Sequence, residues 1–431
     1  MQILPLGTAS LVNRICRNCQ MKKESLFIIA LTGLLLGGGC RSLSPEENCR
    51  YQSEAVGLRI ISADSSRVTG HSCFQVDGHF VWGASPIQGE DGKYYLVFTG
   101  FETGTYKFSD AWVLGSKLGL AVSDRPDGGF RFLGFFLNPD GYAPDTSSWD
   151  AQTVHNPHIR RFNGKYYLYY IGGTDPAGQV PIRCSSGELD RRSRIQQWLK
   201  IGVIEFESFD RLLKGDYTHF DRPLLTPRTR VKQDAIVDPS PEGTKPLPDN
   251  IIVVNPSVVY RPSDQKYLLY FKGNIYDPTW RGVHGVAIGD SPVGPFVPLD
   301  REIFTVETTG GEKLSAEDPY VWYNQTDKLF YAIFKDFTGK FTKGEPSLAL
   351  MYSKDGIDWL LPEHSRFLKK ELILDSGDTI RVDRLERPQL LLDDKGNPLI
   401  LYAACAVVDV NPRTDGGCFN VQIPLKRMTG K

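Results

Sequence analysis

One unit recurs five times in this chain and limits what it can fold into. The unit is a proline, a turn-broken pair of aromatic and β-branched runs, and usually a third run after them. Ser85-Pro86 precedes Lys93-Tyr-Tyr-Leu-Val-Phe98, and Asn156-Pro157 precedes Lys165-Tyr-Tyr-Leu-Tyr-Tyr170. Asn255-Pro256 precedes Lys266-Tyr-Leu-Leu-Tyr-Phe271, Asp318-Pro319 precedes Leu329 to Phe334, and Arg387-Pro388 precedes Pro398-Leu-Ile-Leu-Tyr402. Runs of this composition favour strands, and two of them joined by a turn form a hairpin. No single unit is large enough to bury its own apolar face. Five in a row, each leaning on the next, predict an all-β fold, a five-bladed β-propeller.

Length agrees with that count: five blades consume nearly all of the 431 residues. The net charge of −1 gives no reason to expect a nucleic-acid partner. Residues 1–40 have the layout of a bacterial secretory signal, with Met21 as the natural start. A short charged segment is followed by the apolar Leu26 to Leu36, then by Gly37-Gly-Gly-Cys40. This resembles a lipoprotein signal in which Cys40 is lipidated, so an exported envelope protein is expected. It would touch a membrane only through its lipid. Residues 41–56 are expected to be a tether and 57–431 the propeller. In a propeller the two termini meet in one blade, and the segment from Gly57 to Ala63 is expected to supply the closing strand. Cys405 and Cys418, at successive strand ends of the last unit, could pair in an exported protein. The region after Cys40 contains no CxxC and so no zinc signature, and a monomer without cofactor is expected.

Aligning the units on their prolines brings out candidate chemistry. The residues before the prolines are Ser85, Asn156, Asn255, Asp318 and Arg387, and one position earlier stand Ala84, His155, Val254, Glu317 and Glu386. A hairpin returns its second strand to the start of its first. That brings Thr99, Ile171, Lys272, Lys335 and Ala404 to the same mouth and sets Lys335-Asp336 beside Glu317-Asp318. Such a ring is too polar for a core and suits a pocket. Asp150, six positions before Asn156, is a further candidate. Paired carboxylates in a pocket suit glycoside hydrolysis, where one acid protonates the leaving oxygen and another activates water or attacks carbon. Asp318, Glu386, Asp150 and Glu317 are therefore the candidate catalytic residues. Ser85, His155, Asn156, Asn255, Lys272, Lys335 and Arg387 are the candidate substrate contacts. Strict alternation along a strand sends neighbours to opposite faces, so Glu317 and Asp318 are not expected to act together. Lys335 beside Asp318 would keep that acid ionised as a base, leaving Glu386 as the proton donor.

Trp149-Asp150 before His155-Asn156-Pro157, Glu317-Asp318-Pro319 and Leu385-Glu386-Arg387-Pro388, set in five repeats, resemble the five-bladed propeller glycoside hydrolases, and among them exported bacterial proteins of the family 43-like kind. The resemblance covers roughly residues 75–426. It implies a glycosidase acting on plant or algal carbohydrate. Family 43 enzymes carry an aspartate base at the start of blade one, where this chain has Ser85. That departure leaves a second possibility, a propeller that binds carbohydrate without cleaving it. Some relatives use a histidine as acid, which keeps His155 in view. Many family 43 pockets hold calcium; the ring here has few carboxylates, so no dedicated metal site is expected.

Overall fold

The computed structural model describes residues 50–60, 68–104, 106–139, 148–175, 183–184, 187–188, 190–196, 198–228, 245–276, 280–314, 316–408 and 417–428. The expected signal and Cys40 lie outside the described residues. Five antiparallel sheets form the blades of a β-propeller. Their innermost strands are His79–Gln88, Thr153–Phe162, Val253–Arg261, Glu317–Asn324 and Arg384–Leu392. Each of these touches the next, and the fifth touches the first, which closes the ring. In each blade the second strand returns antiparallel to the first, as the hairpin pattern requires. The strands are buried on both faces, because each sheet packs against a blade on either side. This explains runs such as Tyr166 to Ile171 and Leu268 to Phe271, which are apolar or aromatic throughout instead of alternating. No helix among the described residues is long and apolar enough to cross a membrane.

The closing strand differs from expectation. Tyr51–Ser53, part of the stretch taken as tether, pairs with Phe419–Arg427 at the outer edge of blade five. Cys73–Phe74 adds to the same strand further along. The chain between them turns aside: Arg59–Ile60 pairs with Val68–Thr69 in its own small ribbon. The edge of blade five is thus covered by two short pieces in place of one segment at 57–63. Nor do Cys405 and Cys418 pair. Neither is in a disulfide, nor is Cys73, and Cys418 donates to the Val81 carbonyl at 3.4 Å.

Candidate active site

Every innermost strand carries a bulge at the same place, and the bulge builds the site. Asn156, Asn255, Asp318 and Arg387 have φ of 53°, 57°, 59° and 52°, and strand pairing slips at each of them. In blade one the slip falls at Gly83, with φ of 27°. A bulge breaks the alternation of side chains. Consecutive residues therefore face the same pocket: Glu317 with Asp318, Glu386 with Arg387, His155 with Asn156, Val254 with Asn255. The expectation that Glu317 and Asp318 point apart is corrected on this point.

The bulge also corrects the alignment of blade one. Gly83, two residues before Ser85, is the counterpart of Asn156 and Asp318, because Pro86 is not the counterpart of the other prolines. Ser85 belongs to the next tier down, with Ser257. The Ser85 hydroxyl accepts from the Ile159 backbone N–H at 3.0 Å, as the Ser257 hydroxyl does from Val321 at 2.9 Å. Ser85 also donates to Gln389 Oε1 at 3.1 Å, and His158 Nδ1 lies 3.0 Å from that oxygen. This buried tier is a polar plug beneath the pocket, so Ser85 is not a substrate contact. At Gly83 a Cβ would meet Asn156 Oδ1 at 2.8 Å, which explains the glycine there.

Above the plug lies a pocket of about 580 Å³. Its floor is a chain of hydrogen bonds across the ring. Asn156 Nδ2 donates to Asn255 Oδ1 at 2.9 Å, and Asn255 Nδ2 donates to Asp318 Oδ1 at 2.8 Å. Arg387 Nη1 reaches the same Asp318 oxygen at 3.2 Å, while among the described residues Asp318 Oδ2 accepts only from the Arg387 backbone N–H, at 3.3 Å. Asp318 is thus hydrogen-bonded by Asn255 and Arg387; Lys335, expected near it, feels the Asp318 charge but gives its direct contacts to the two glutamates.

Lys335 instead bridges two glutamates. Its ammonium lies 2.8 Å from Glu386 Oε1 and 3.4 Å from Glu317 Oε2. Laid end to end these distances limit the gap between the two oxygens to about 6 Å, the scale of paired carboxyl groups in glycosidases. Lys272 approaches Glu317 Oε1 at 2.5 Å. The two glutamates are driven in opposite directions. Burial pushes Glu317 up, but Lys272 and Lys335 outweigh it and bring it to about 2. Burial raises Glu386, and the Asp318 charge adds to this; Lys335 opposes them without winning. Arg384 Nη1 stands 3.7 Å from Glu386, and its guanidinium lies 5.5 Å from the centre of the Phe108 ring.

A second wall, adjoining the first at Arg384, is apolar. Trp82, Phe101, Phe108, Trp112, Ile171 and Leu199 line it. Phe108 and Trp112 come from a helix, Phe108–Leu114, inserted between the second and third strands of blade one. His155 sits edge-on to Trp112, with ring centres 5.1 Å apart and both ring nitrogens lacking a protein partner. Burial, helped by the Arg387 charge, lowers His155 to about 3. That shift favours the neutral ring, and His155 lines the pocket beside Trp112.

Two acidic residues named from sequence lie elsewhere. Asp150 is absent from the pocket lining. Its carboxylate accepts from Tyr170 at 2.6 Å and from Ser148, and contacts His219 Nε2 at 2.8 Å. It ties the outer strand Thr218–His219 to its blade. Asp336 turns into its own loop, accepting from the backbone N–H groups of Thr338, Gly339 and Thr342 at 2.8–2.9 Å. Sequence reasoning missed the aromatic wall. Phe101 was within its reach, two residues beyond Thr99 on a returning strand and so on the same face; the helix carried no such signal. Among the described residues no three His, Cys, Asp or Glu side chains converge to hold a metal ion.

No protein-family model matches this sequence, and no curated protein does. Solved structures do resemble it. Zg3597, a family 117 glycoside hydrolase of the marine bacterium Zobellia galactanivorans, is 16% identical over 88% of this chain and 91% of its own, with a TM-score of 0.51. BT0996, solved as a complex with RGII, is 12% identical over 84% of this chain and 92% of its own, with a TM-score of 0.53. A further structure, a glycoside hydrolase, is 12% identical with the same coverage and a TM-score of 0.51. At these identities the likeness is one of fold, a five-bladed β-propeller like that of the family 117 glycoside hydrolase.

Proposed function

We propose that the pocket hydrolyses O-glycosidic bonds of an oligosaccharide or polysaccharide, plant or algal in origin, with Glu386 as proton donor. The observation that carries this is a pair of pocket carboxyls in different settings: burial raises Glu386 and the Asp318 charge adds to this, while Asp318 is held by hydrogen bonds from Asn255 and Arg387. Two carboxyls in different environments can divide the labour of acid and base. Glu386 can hold a proton where an ordinary glutamate has lost it. Glu317 is too weak a base to activate water; its part is to fix Lys272 and Lys335. Asp318 takes the role of base or nucleophile, because its Oδ2 carries a single long contact. Arg387 and Asn255 hold its other oxygen and orient it. The aromatic wall would receive the apolar face of the sugar.

Turnover of an oligosaccharide panel tests this. The parent should cleave at least one member, and Glu386→Gln and Asp318→Asn should each lose ~10²–10⁴-fold in kcat. Activity should fall as pH rises through the raised Glu386 value, since the donor must be protonated. One observation favours the alternative, a propeller that binds sugar without cleaving it: the blade-one ring position is Gly83, which has no side chain to act as base. Binding of oligosaccharides with no turnover of any would establish that alternative.

A further inference from the structure

We propose that the sugar unit seated in this pocket carries an anionic substituent, a carboxylate or a sulfate, held between Lys272 and Lys335. This rests on the carbohydrate assignment above and narrows it. Four cationic side chains line the pocket (Lys272, Lys335, Arg384 and Arg387) against three carboxyls (Glu317, Asp318 and Glu386). The deepest pair, Arg387 with Asp318, is self-contained at 3.2 Å, with side chains 3% and 9% exposed. Arg384 leans on Asp383 at 3.6 Å, outside the pocket. That leaves two ammonium groups beside Glu317, at 2.5 Å from Lys272 and 3.4 Å from Lys335, with Lys335 closer still to Glu386 at 2.8 Å. The other carboxyl near Lys335 is Glu386, which must be protonated to donate. In that state Lys335 loses the charge opposite it and the pocket carries excess positive charge.

Excess charge away from bulk water is costly unless it is paired. Both lysines keep an open side towards the pocket, with side chains 11% and 24% exposed. Each ammonium has three donors, more than its glutamate contact uses. An anion on the sugar would fill this gap. It would also act on Glu386. Lys335 alone favours the ionised form of that acid, whereas a nearby anion restores its hold on the proton. A positive pocket further disfavours the oxocarbenium-like transition state of glycoside cleavage, and a negative group on the substrate offsets this. A neutral sugar supplies none of the three effects.

Titration calorimetry of the full-length Glu386→Gln protein tests the proposal with matched sugars. The pairs are galacturonate with galactose and glucuronate with glucose; galactose 6-sulfate separates sulfate from carboxylate. An anionic member should bind about tenfold or more tightly than its neutral partner, with the advantage shrinking as salt rises. Lys272→Met should remove most of that advantage and Lys272→Arg should keep it, which guards against a variant that merely folds poorly. Equal binding of neutral and anionic members, or an advantage untouched by Lys272→Met and by salt, would overturn the proposal. If neutral oligosaccharides are also cleaved by the parent, the glycosidase assignment survives that failure. If no member binds, the anion proposal falls, and turnover of the oligosaccharide panel by the parent decides the glycosidase assignment separately.

Discussion

The two walls of the pocket differ in origin and in kind. The charged wall comes from the repeating hairpins: Lys335 faces Glu317 across one, and Lys272 stands opposite Val254 in another. Its groups are fixed by one another and by backbone geometry that every blade shares. The aromatic wall is blade one with its inserted helix, joined by Ile171 and Leu199 of blade two, which carries a helix of its own, Arg191–Gln196, between its second and third strands. Phe108 packs edge-on to Phe80 and to Trp82 at 5.4 and 4.9 Å between ring centres. The repeat supplies groups that can move protons, and the insertion supplies surface that can hold a sugar. Substitutions should therefore separate: rate on the charged wall, affinity on the aromatic one.

The largest effect is expected on the charged wall. Glu386→Gln should cost ~10²–10⁴-fold in kcat with KM changed little. A matching loss in KM alone would mean that Glu386 only binds. On the other wall, Trp112→Ala should raise KM by about tenfold, on the order of one aromatic contact, and leave kcat near the parent value. If Trp112→Ala instead lowers kcat as far as Glu386→Gln, the walls do not divide binding from chemistry.

Asp150→Asn is expected to fall on neither wall. It removes charge from a buried carboxylate that ties His219, Tyr170 and Ser148, so it should cost about 1–3 kcal/mol of stability and leave kcat of the folded protein unchanged. The pH dependence has a definite sign. Burial raises Asp150, but His219, Ser148 and Tyr170 lower it below its ordinary 3.8; its contribution is present above that value and lost as pH falls through the folded one. The Asp150 contact raises His219 above its ordinary 6.5; that contribution is full below 6.5 and lost as pH rises through the folded value. Thermal melts of parent and variant should therefore differ most between about pH 4 and 6.5. A difference that stays the same below pH 4 and above pH 6.5 as well would show that the pair is not charged in the folded protein.

These residues also show how far the sequence could be read. The ring of Asn156, Asn255, Asp318 and Arg387 was legible because the hairpin repeats carry it. Ser85 was misplaced because blade one has alanine, Ala84, where the other blades have proline, and Pro86 lies two positions on. The pairing of Glu317 with Asp318 in one pocket was hidden by the assumption of strict alternation. A bulge needs φ > 0, which Asn and Asp tolerate; Arg387 adopts it too and gives no such hint. Asp150 and Asp336 mislead for a common reason. An acid near a strand end serves as well to close a turn or clamp an edge as to line a cavity, and only its partners tell which. The inserted helix lay outside the repeat altogether.

Phe337 makes the smallest and most specific prediction. It follows Asp336, whose carboxylate is saturated by donors from its own loop, and the loop presents the ring 48% exposed. Lys272, a pocket residue, places its ammonium 5.7 Å from the centre of that ring. A rigidly held aromatic beside the mouth on the charged side would meet a second sugar unit and not the one inside. Phe337→Ala should then weaken a longer oligosaccharide by a few-fold, about 1 kcal/mol, and leave a single-unit glycoside unaffected. Comparing KM for the two substrates in parent and variant checks this. An equal change for both would place the effect on Lys272 through the lost ring contact, and would extend the binding role of aromatic residues to the charged wall.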